Sequence, residues 1–326
     1  MAPRLLTPKK TYTFDYPQAL EFAAKQRHSY WPPDEIDVES DLADLTHRAT
    51  EPELDGIIKG LTLFTHYELW AGKDYWLGRV MDTFPRPDIQ QMAATFGFFE
   101  LSVHAVFYNR INEVLNLNTD EFYESYKKDP VLSDRMKFIG DVVNSDDNLL
   151  SLGAFSMIEG AVLYSTFAYL RHFQEGSKNL IPNICSGLNF SVVDENIHCE
   201  AGAWLFRTLK AEMGISKRED NLVKSKLSEC AHKIFEHESH IIDSFFEKGR
   251  IAGISSIQLK NFVKKRLNHC MIQLGYSSIF TVDSDKIGEW FYERIRGLKS
   301  NDFFVVQGAE YTTNVYPEQF SFIKDA

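Results

Sequence analysis

Cysteine, glycine and proline are all scarce in this 326-residue chain, with 4, 18 and 11 copies. The four cysteines, at 185, 199, 230 and 270, form no C-x-x-C pair. That excludes a disulfide scaffold and a thiolate zinc site, and it predicts reduced thiols in a cytoplasmic setting. No Gly/Ser-rich or Pro-rich linker divides the chain, and no repeat recurs along it, so one main domain is expected. Strand signals, meaning β-branched alternation bounded by turn dipeptides, are rare. Basic residues are outnumbered, 35 Lys+Arg against 46 Asp+Glu, for a formal charge of -11. With no cationic stripe to neutralise phosphates, a nucleic-acid partner is not expected. The N-terminal "MAPRLLTPKKTYTFDYP" lacks the apolar core of a secretory leader.

What remains is an apolar, helix-forming chain. Apolar residues make up 44% and aromatics 13%, enough for a sizeable core at this length. Periodicity predicts long helices over about 52–80, 88–116, 132–173, 179–213, 217–248 and 256–274, with a shorter one near 284–298. Pro85, Pro87, Gly176, Gly249 and Gly253 fall between them. This is the pattern of an all-α bundle spanning 1–299. Residues 300–326 have no helical period and read as an extended tail, yet Phe303, Phe304, Tyr311, Tyr316, Phe320 and Phe322 are unusual for a purely solvated one.

Carboxylates stand alone in several of these apolar helices. The segment 151–170, "SLGAFSMIEGAVLYSTFAYL", is long enough to span a membrane, and its one charged group is Glu159. An unpaired carboxylate at mid-bilayer is unfavourable, and no second such segment or basic flank accompanies it, so a buried helix of a bundle is expected and no membrane. In "QMAATFGFFELSVHAVFY", 91–108, only Glu100 and His104 would be charged or titrating. "FSVVDENIHCEAGAWLF" brings Asp194, Glu195 and His198, and "IIKGLTLFTHYELWAGKDYW" offers His66, Glu68 and Asp74.

A buried carboxylate costs several kcal/mol or takes up a proton, so four that converge demand cations, and two divalent ions balance them. Glu195 and His198 are spaced i,i+3 and Glu100 and His104 i,i+4, each pair on one helical face. The order Glu68, Glu100/His104, Glu159, Glu195/His198 matches the carboxylate di-metal pattern of helix bundles. Oxygen-rich ligation with one imidazole per metal suits Fe or Mn better than structural Zn. By contrast "FEHESHIID", with Glu236, His237, Glu238 and His240, is dense in charge and reads as a solvated face.

From Trp31 to the tail the sequence resembles the small, radical-generating subunit of class I ribonucleotide reductase. "VVDENIHCEAG" looks like the family's Asp-Glu-x-x-His segment, "IEGAVLYSTFAYL" like its third-helix Glu segment, and "VHAVFYNRINEVL" carries His and then Tyr four residues later. The resemblance implies a ferritin-like bundle, a di-metal centre (Fe/Fe, Mn/Mn or Mn/Fe) and a stable radical on Tyr108, which on its own reads as a core aromatic. It implies ligation by Glu68, Glu100, His104, Glu159, Glu195 and His198. "YWPPDEIDVESD" resembles the family's Trp-x-x-x-Glu-Val-Asp element and "NDFFVVQGAEYTTN" its tail, so Trp31, Asp194 and His104 would pass the oxidising equivalent onward and Tyr311 would deliver it to a large catalytic subunit. A homodimer is implied, and, depending on the metal, an activating flavoprotein.

Two departures stand out. The family's second-helix glutamate lies three residues before the histidine, where this chain has Leu101; Glu100 is four before. A π-type bulge turning Glu100 inward is expected over a missing ligand. The first ligand is usually Asp, whereas Glu68 occupies that place here, with Asp74 and His66 fitting less well. Phe98, Phe107, Leu163 and Phe167 are expected to keep water from the radical. The rival readings are a di-metal oxygenase or oxidase acting on an apolar small molecule, and a metal-storage or structural subunit.

Overall fold

The computed structural model describes residues 2–175 and 178–293; Tyr311 and the expected tail lie outside them. The described residues are helical with no strand. The main helices are α1 (Pro17–His28), α2 (Glu51–Leu61), α3 (64–83), α4 (87–114), α5 (Pro130–Val143), α6 (148–171), α7 (Pro182–Met213), α8 (Lys217–Ser244) and α9 (Ser256–Gln273). A last helix begins at 286 and runs to the end of the described residues.

Local chemistry sets the boundaries. Pro17, Pro87, Pro130 and Pro182 each open a helix, where a missing N–H costs nothing. Thr50 with Glu53 and Ser216 with Glu219 form capping boxes at the starts of α2 and α8. Gly214, in the left-handed region at φ 57°, ends α7. Two expected helices are divided. The segment 52–80 breaks at Thr62 and Leu63. The segment 132–173 breaks at 144–147, where the Asp147 carboxylate accepts from the Leu150 N–H at 3.1 Å and starts α6 afresh.

Helices α3 and α4 pack together, α6 packs along α7, and α8 and α9 cover α6 from outside. Helix α6 belongs to the one described stretch long and apolar enough to cross a membrane, and 94% of that window is buried in the bundle. Its apolar character therefore reflects neighbours on every side.

One sequence expectation is corrected here. Glu236 is exposed, but His237 and Glu238 of α8 are buried. Glu238 pairs with the buried Arg135 guanidinium of α5 at 2.5 Å, and Arg135 also donates to the Val162 carbonyl at 2.8 Å. A run of charges does not reveal which of its members face inward. Arg135→Met, which leaves the buried Glu238 carboxylate without its cation, is expected to cost about 3–5 kcal/mol in urea denaturation. The double variant with Glu238→Leu should recover most of it.

Candidate metal centre

Four helices deliver six side chains to one buried point. Glu68 comes from α3, Glu100 and His104 from α4, Glu159 from α6, and Glu195 and His198 from α7. They form two overlapping groups, Glu68/Glu100/His104/Glu195 and Glu100/Glu159/Glu195/His198, and within each the candidate ligand atoms lie within 4.8 Å of one another. Glu100 and Glu195 belong to both. His104 Nδ1 lies 3.0 Å from Glu100 Oε2 and 3.3 Å from Glu195 Oε1, while His198 Nδ1 lies 2.6 Å from Glu100 Oε1 and 3.7 Å from Glu195 Oε2. Each shared carboxylate thus turns one oxygen to each imidazole, so Glu100 and Glu195 could each serve both members of a pair of cations.

The polar atoms fit such a pair of ions. Glu68 Oε1 and His198 Nε2 are buried with no hydrogen-bond partner, and Glu100 Oε1, Glu195 Oε1 and His198 Nδ1 have only other members of the cluster beside them. Orphaned buried atoms of this kind call for a specific cause, and divalent cations between converging lone pairs supply one. Asp74 and His66 stand elsewhere, His66 contacting the Tyr123 carbonyl at 2.7 Å.

Helix α4 is a π-helix over Glu100–His104. A π-turn closes on i+5, so residues four apart take the relation that i,i+3 residues hold in an α-helix, as Glu195 and His198 do on α7. The expected bulge is present, and Leu101 faces away, half-buried against α3. Helix α3 comes so close there that a Cβ on Gly72 would stand 2.7 Å from Leu101 Cγ and 2.9 Å from Glu100 Cβ. Glycine is the residue that permits this approach.

Around the cluster, Asp194 joins two elements. Its Oδ2 accepts from Trp31 Nε1 at 2.9 Å and from His104 Nε2 at 3.1 Å, and its Oδ1 accepts from Ser29 Oγ at 2.9 Å. With a cation on Nδ1, His104 would keep its other proton on Nε2, donated to Asp194. Tyr108 is fully buried, its ring 6.5 Å from that of His104 and 4.6 Å from that of Phe64. Phe107, Leu163 and Phe167 are buried as expected, but Phe98 is 48% exposed, on the outer face of α4, and shields nothing. Sequence reasoning missed Trp76, whose Nε1 donates to Glu159 Oε1 at 2.8 Å and so fixes that carboxylate's orientation.

A profile of the ribonucleotide reductase small chain matches residues 9–286. The chain belongs to the ribonucleotide reductase small-chain family. It is 22% identical to the probable ribonucleoside-diphosphate reductase small subunit of Invertebrate iridescent virus 3, over 94% of this chain and 85% of that protein. It is 26% identical to the ribonucleoside-diphosphate reductase subunit beta of Mycoplasmoides gallisepticum, over 93% and 87%. Its fold is similar to that of the dimanganese(II) NrdF of Streptococcus sanguinis, with a TM-score of 0.75 and 18% identity over 86% of this chain and 96% of that one. The fold is therefore the ferritin-like helical one.

In this small-chain protein burial and mutual repulsion dominate the electrostatics. Burial, and then the Glu100 charge, push the Glu68 and Glu159 carboxyls well above their ordinary range. Burial also opposes ionisation of Glu100, but the imidazoles of His198 and His104 more than reverse it and hold that carboxyl low. Burial alone would lower His198; Glu100 and Glu195 instead push it up to about 9. Without metal, His198 therefore holds a proton at neutral pH and Glu68, Glu159 and His104 are pushed toward their protonated forms, so cations must displace protons to enter. Adding Fe(II) or Mn(II) to metal-free protein near neutrality is expected to release protons, and affinity should rise with pH until His198 deprotonates near 9, as potentiometric titration would record. Glu100→Ala should lower bound metal in elemental analysis, whereas Leu101→Ala should leave it unchanged.

Proposed function

We propose that this chain is the radical-generating small subunit of a ribonucleoside-diphosphate reductase. In this reading Glu68, Glu100, His104, Glu159, Glu195 and His198 hold a di-metal centre and Tyr108 stores the radical. The observation that carries the reading is the hydrogen-bonded line from the Trp31 indole through Asp194 to the imidazole facing the cluster. A storage protein has no use for it.

The bound metal pair supplies oxidising power drawn from an oxygen species, and Fe/Fe, Mn/Mn and Mn/Fe all suit this ligand set. The protein's own groups do the placing. Tyr108 must lose a phenolic proton with its electron, and after burial the largest influence on that phenol is Glu68. Phe64, Phe107 and Phe167, all buried, keep water away from it. The oxidising equivalent leaves through His104, Asp194 and Trp31, and Tyr311, within a docking tail of residues 300–326, passes it to the large catalytic subunit, where nucleotide is reduced. Residues 1–299 form the helical domain, which works in the cytoplasm as a homodimer and is served by an activating flavoprotein where the metal requires one.

The oxygenase reading asks for a substrate cavity. The cavity beside Glu68, Glu159 and Glu195 has a volume of about 10 Å³, room for one water and far below the several hundred Å³ of a small-molecule site.

Two measurements test the proposal. Tyr108→Phe should bind metal normally yet give no tyrosyl signal in electron paramagnetic resonance; a signal that survives would place the radical elsewhere. Removing residues 300–326 should leave radical formation intact and abolish nucleotide reduction with the large subunit; undiminished turnover would refute the role of Tyr311.

A further inference from the structure

The six candidate ligands are all buried, so an oxygen species reaches them only by crossing packed protein. Two cavities mark a way in. The inner one, of about 10 Å³, touches Glu68, Glu159 and Glu195, and every residue lining it except Trp70 is buried. The outer one, of about 140 Å³, is walled by α2, α3, α5, α6 and α8, and Glu247 on its rim is exposed. Tyr67 lines both.

Three helices carry the two cavities on successive turns. On α5, Arg135 lines the outer cavity and Ile139, four residues on, the inner one. On α6, Thr166 lines the outer cavity and Val162, four residues back, the inner one. On α3, Phe64 lines the outer cavity and Ala71 the inner, with Tyr67 between them. One helical turn is about 5.4 Å, so the cavities stand end to end along the same helices, and a single aromatic side chain occupies their junction. Arg135 braces it: the guanidinium lies 4.8 Å from the centre of the Tyr67 ring and donates to the Val162 carbonyl of the inner wall at 2.8 Å.

Charge decides what such a passage admits. In and around the outer cavity Lys59 pairs with Asp55 at 2.8 Å and with Glu247 at 2.6 Å, Arg135 with Glu238 at 2.5 Å, and His240 with Asp129 at 2.7 Å. Neither an anion nor a metal cation finds an uncompensated partner among these groups. Beyond Tyr67 the approach to the carboxylates is apolar, past Ile139, Phe155, Ile158, Val162 and Leu163. An ion would lose its hydration there without replacement, whereas an uncharged diatomic has little hydration to lose.

We infer that the outer cavity is the entry for a small uncharged oxidant of dioxygen's size, and that Tyr67 is its gate, a positioning residue that limits how fast the oxidant arrives beside Glu68 and Glu159. The inference rests on the di-metal reading proposed above. Passage makes and breaks no covalent bond; it requires only that the Tyr67 side chain move. A gate serves the radical as well as the oxidant. Phe64, in the outer wall, is the ring packed 4.6 Å from that of Tyr108, so a permanently open passage would bring water and reductants toward the same phenol.

The test uses the full chain loaded anaerobically with iron(II) and mixed with nitric oxide, an uncharged diatomic that ligates iron(II) and changes its visible absorbance. Stopped-flow absorbance then reads an association rate rather than turnover, with metal content and melting temperature as controls. Leu132→Trp, or Thr62→Trp at another wall, fills the outer cavity, which none of the six candidate ligands lines. Either should slow association about tenfold, because entry must then wait for a rearrangement. Lys137→Trp, on the exposed face of α5, should not. Tyr67→Ala, which merges the two cavities, should speed association. Wild-type rates in both outer-cavity tryptophan variants would overturn the inference by sending the gas past Trp70 or through the bundle at large. So would a metal-loaded Tyr67→Ala protein no faster than wild type. A wild type that binds no iron would sink the proposed function and this inference together.

Discussion

Four glutamates share one small buried space, and the rest of the structure answers that repulsion. Two like charges about 4 Å apart cost on the order of 4 kcal/mol even at an effective dielectric constant of 20. Without cations the cluster divides into protonated and ionised members: Glu68 and Glu159 are pushed toward the neutral form, while Glu100 stays charged against the two imidazoles. Such a cluster would spread if its backbone allowed it. It is held by long helices whose neighbours are packed without slack, as the Gly72 approach to Glu100 and the Trp76 bond to Glu159 illustrate.

The same demand accounts for the irregular backbone. Three of the four contributing helices contain π-stretches, at Trp70–Val80, Glu100–His104 and Ile158–Val162, each holding or closely following one of the converging glutamates. The fourth, α7, has the i,i+3 spacing of Glu195 and His198 and stays α-helical over all 32 residues. A π-turn trades regular hydrogen bonding for a shift in side-chain direction. That trade occurs where the residue spacing does not by itself aim the side chains inward.

Features local in sequence were the legible ones. Helical period identified the bundle, and charges isolated in apolar runs identified Glu100, Glu159 and Glu195, because burial leaves a mark on the neighbouring residues. The odd Glu100–His104 spacing even pointed to its bulge. Features made by distant pairing were not legible. Trp76 and Glu159 are 83 residues apart. Nothing near Glu238 announces Arg135, so "FEHESHIID" read as solvated throughout. Phe98 failed for the converse reason: in an apolar helix every position looks buried, and only packing shows which face is left outside. The break at 144–147 was local and readable, since Asp147 is an ordinary N-cap residue, but the apolar residues on both sides masked it.

The placement of Asp194 next to Glu195 follows from helix geometry. Adjacent residues on an α-helix point about 100° apart, so the two carboxylates of one turn cannot face the same point. Glu195 faces the cluster; Asp194 faces the other side of the His104 ring, where it meets Nε2 and the Trp31 indole. One imidazole therefore divides two environments, with Nδ1 among the carboxylates and Nε2 toward the protein exterior. A single bond network can then be coupled to the cluster without opening it to water. His104 and Asp194 have no exposed surface and Trp31 keeps only 4% of its own, so the link between centre and surface runs through matter that stays dry.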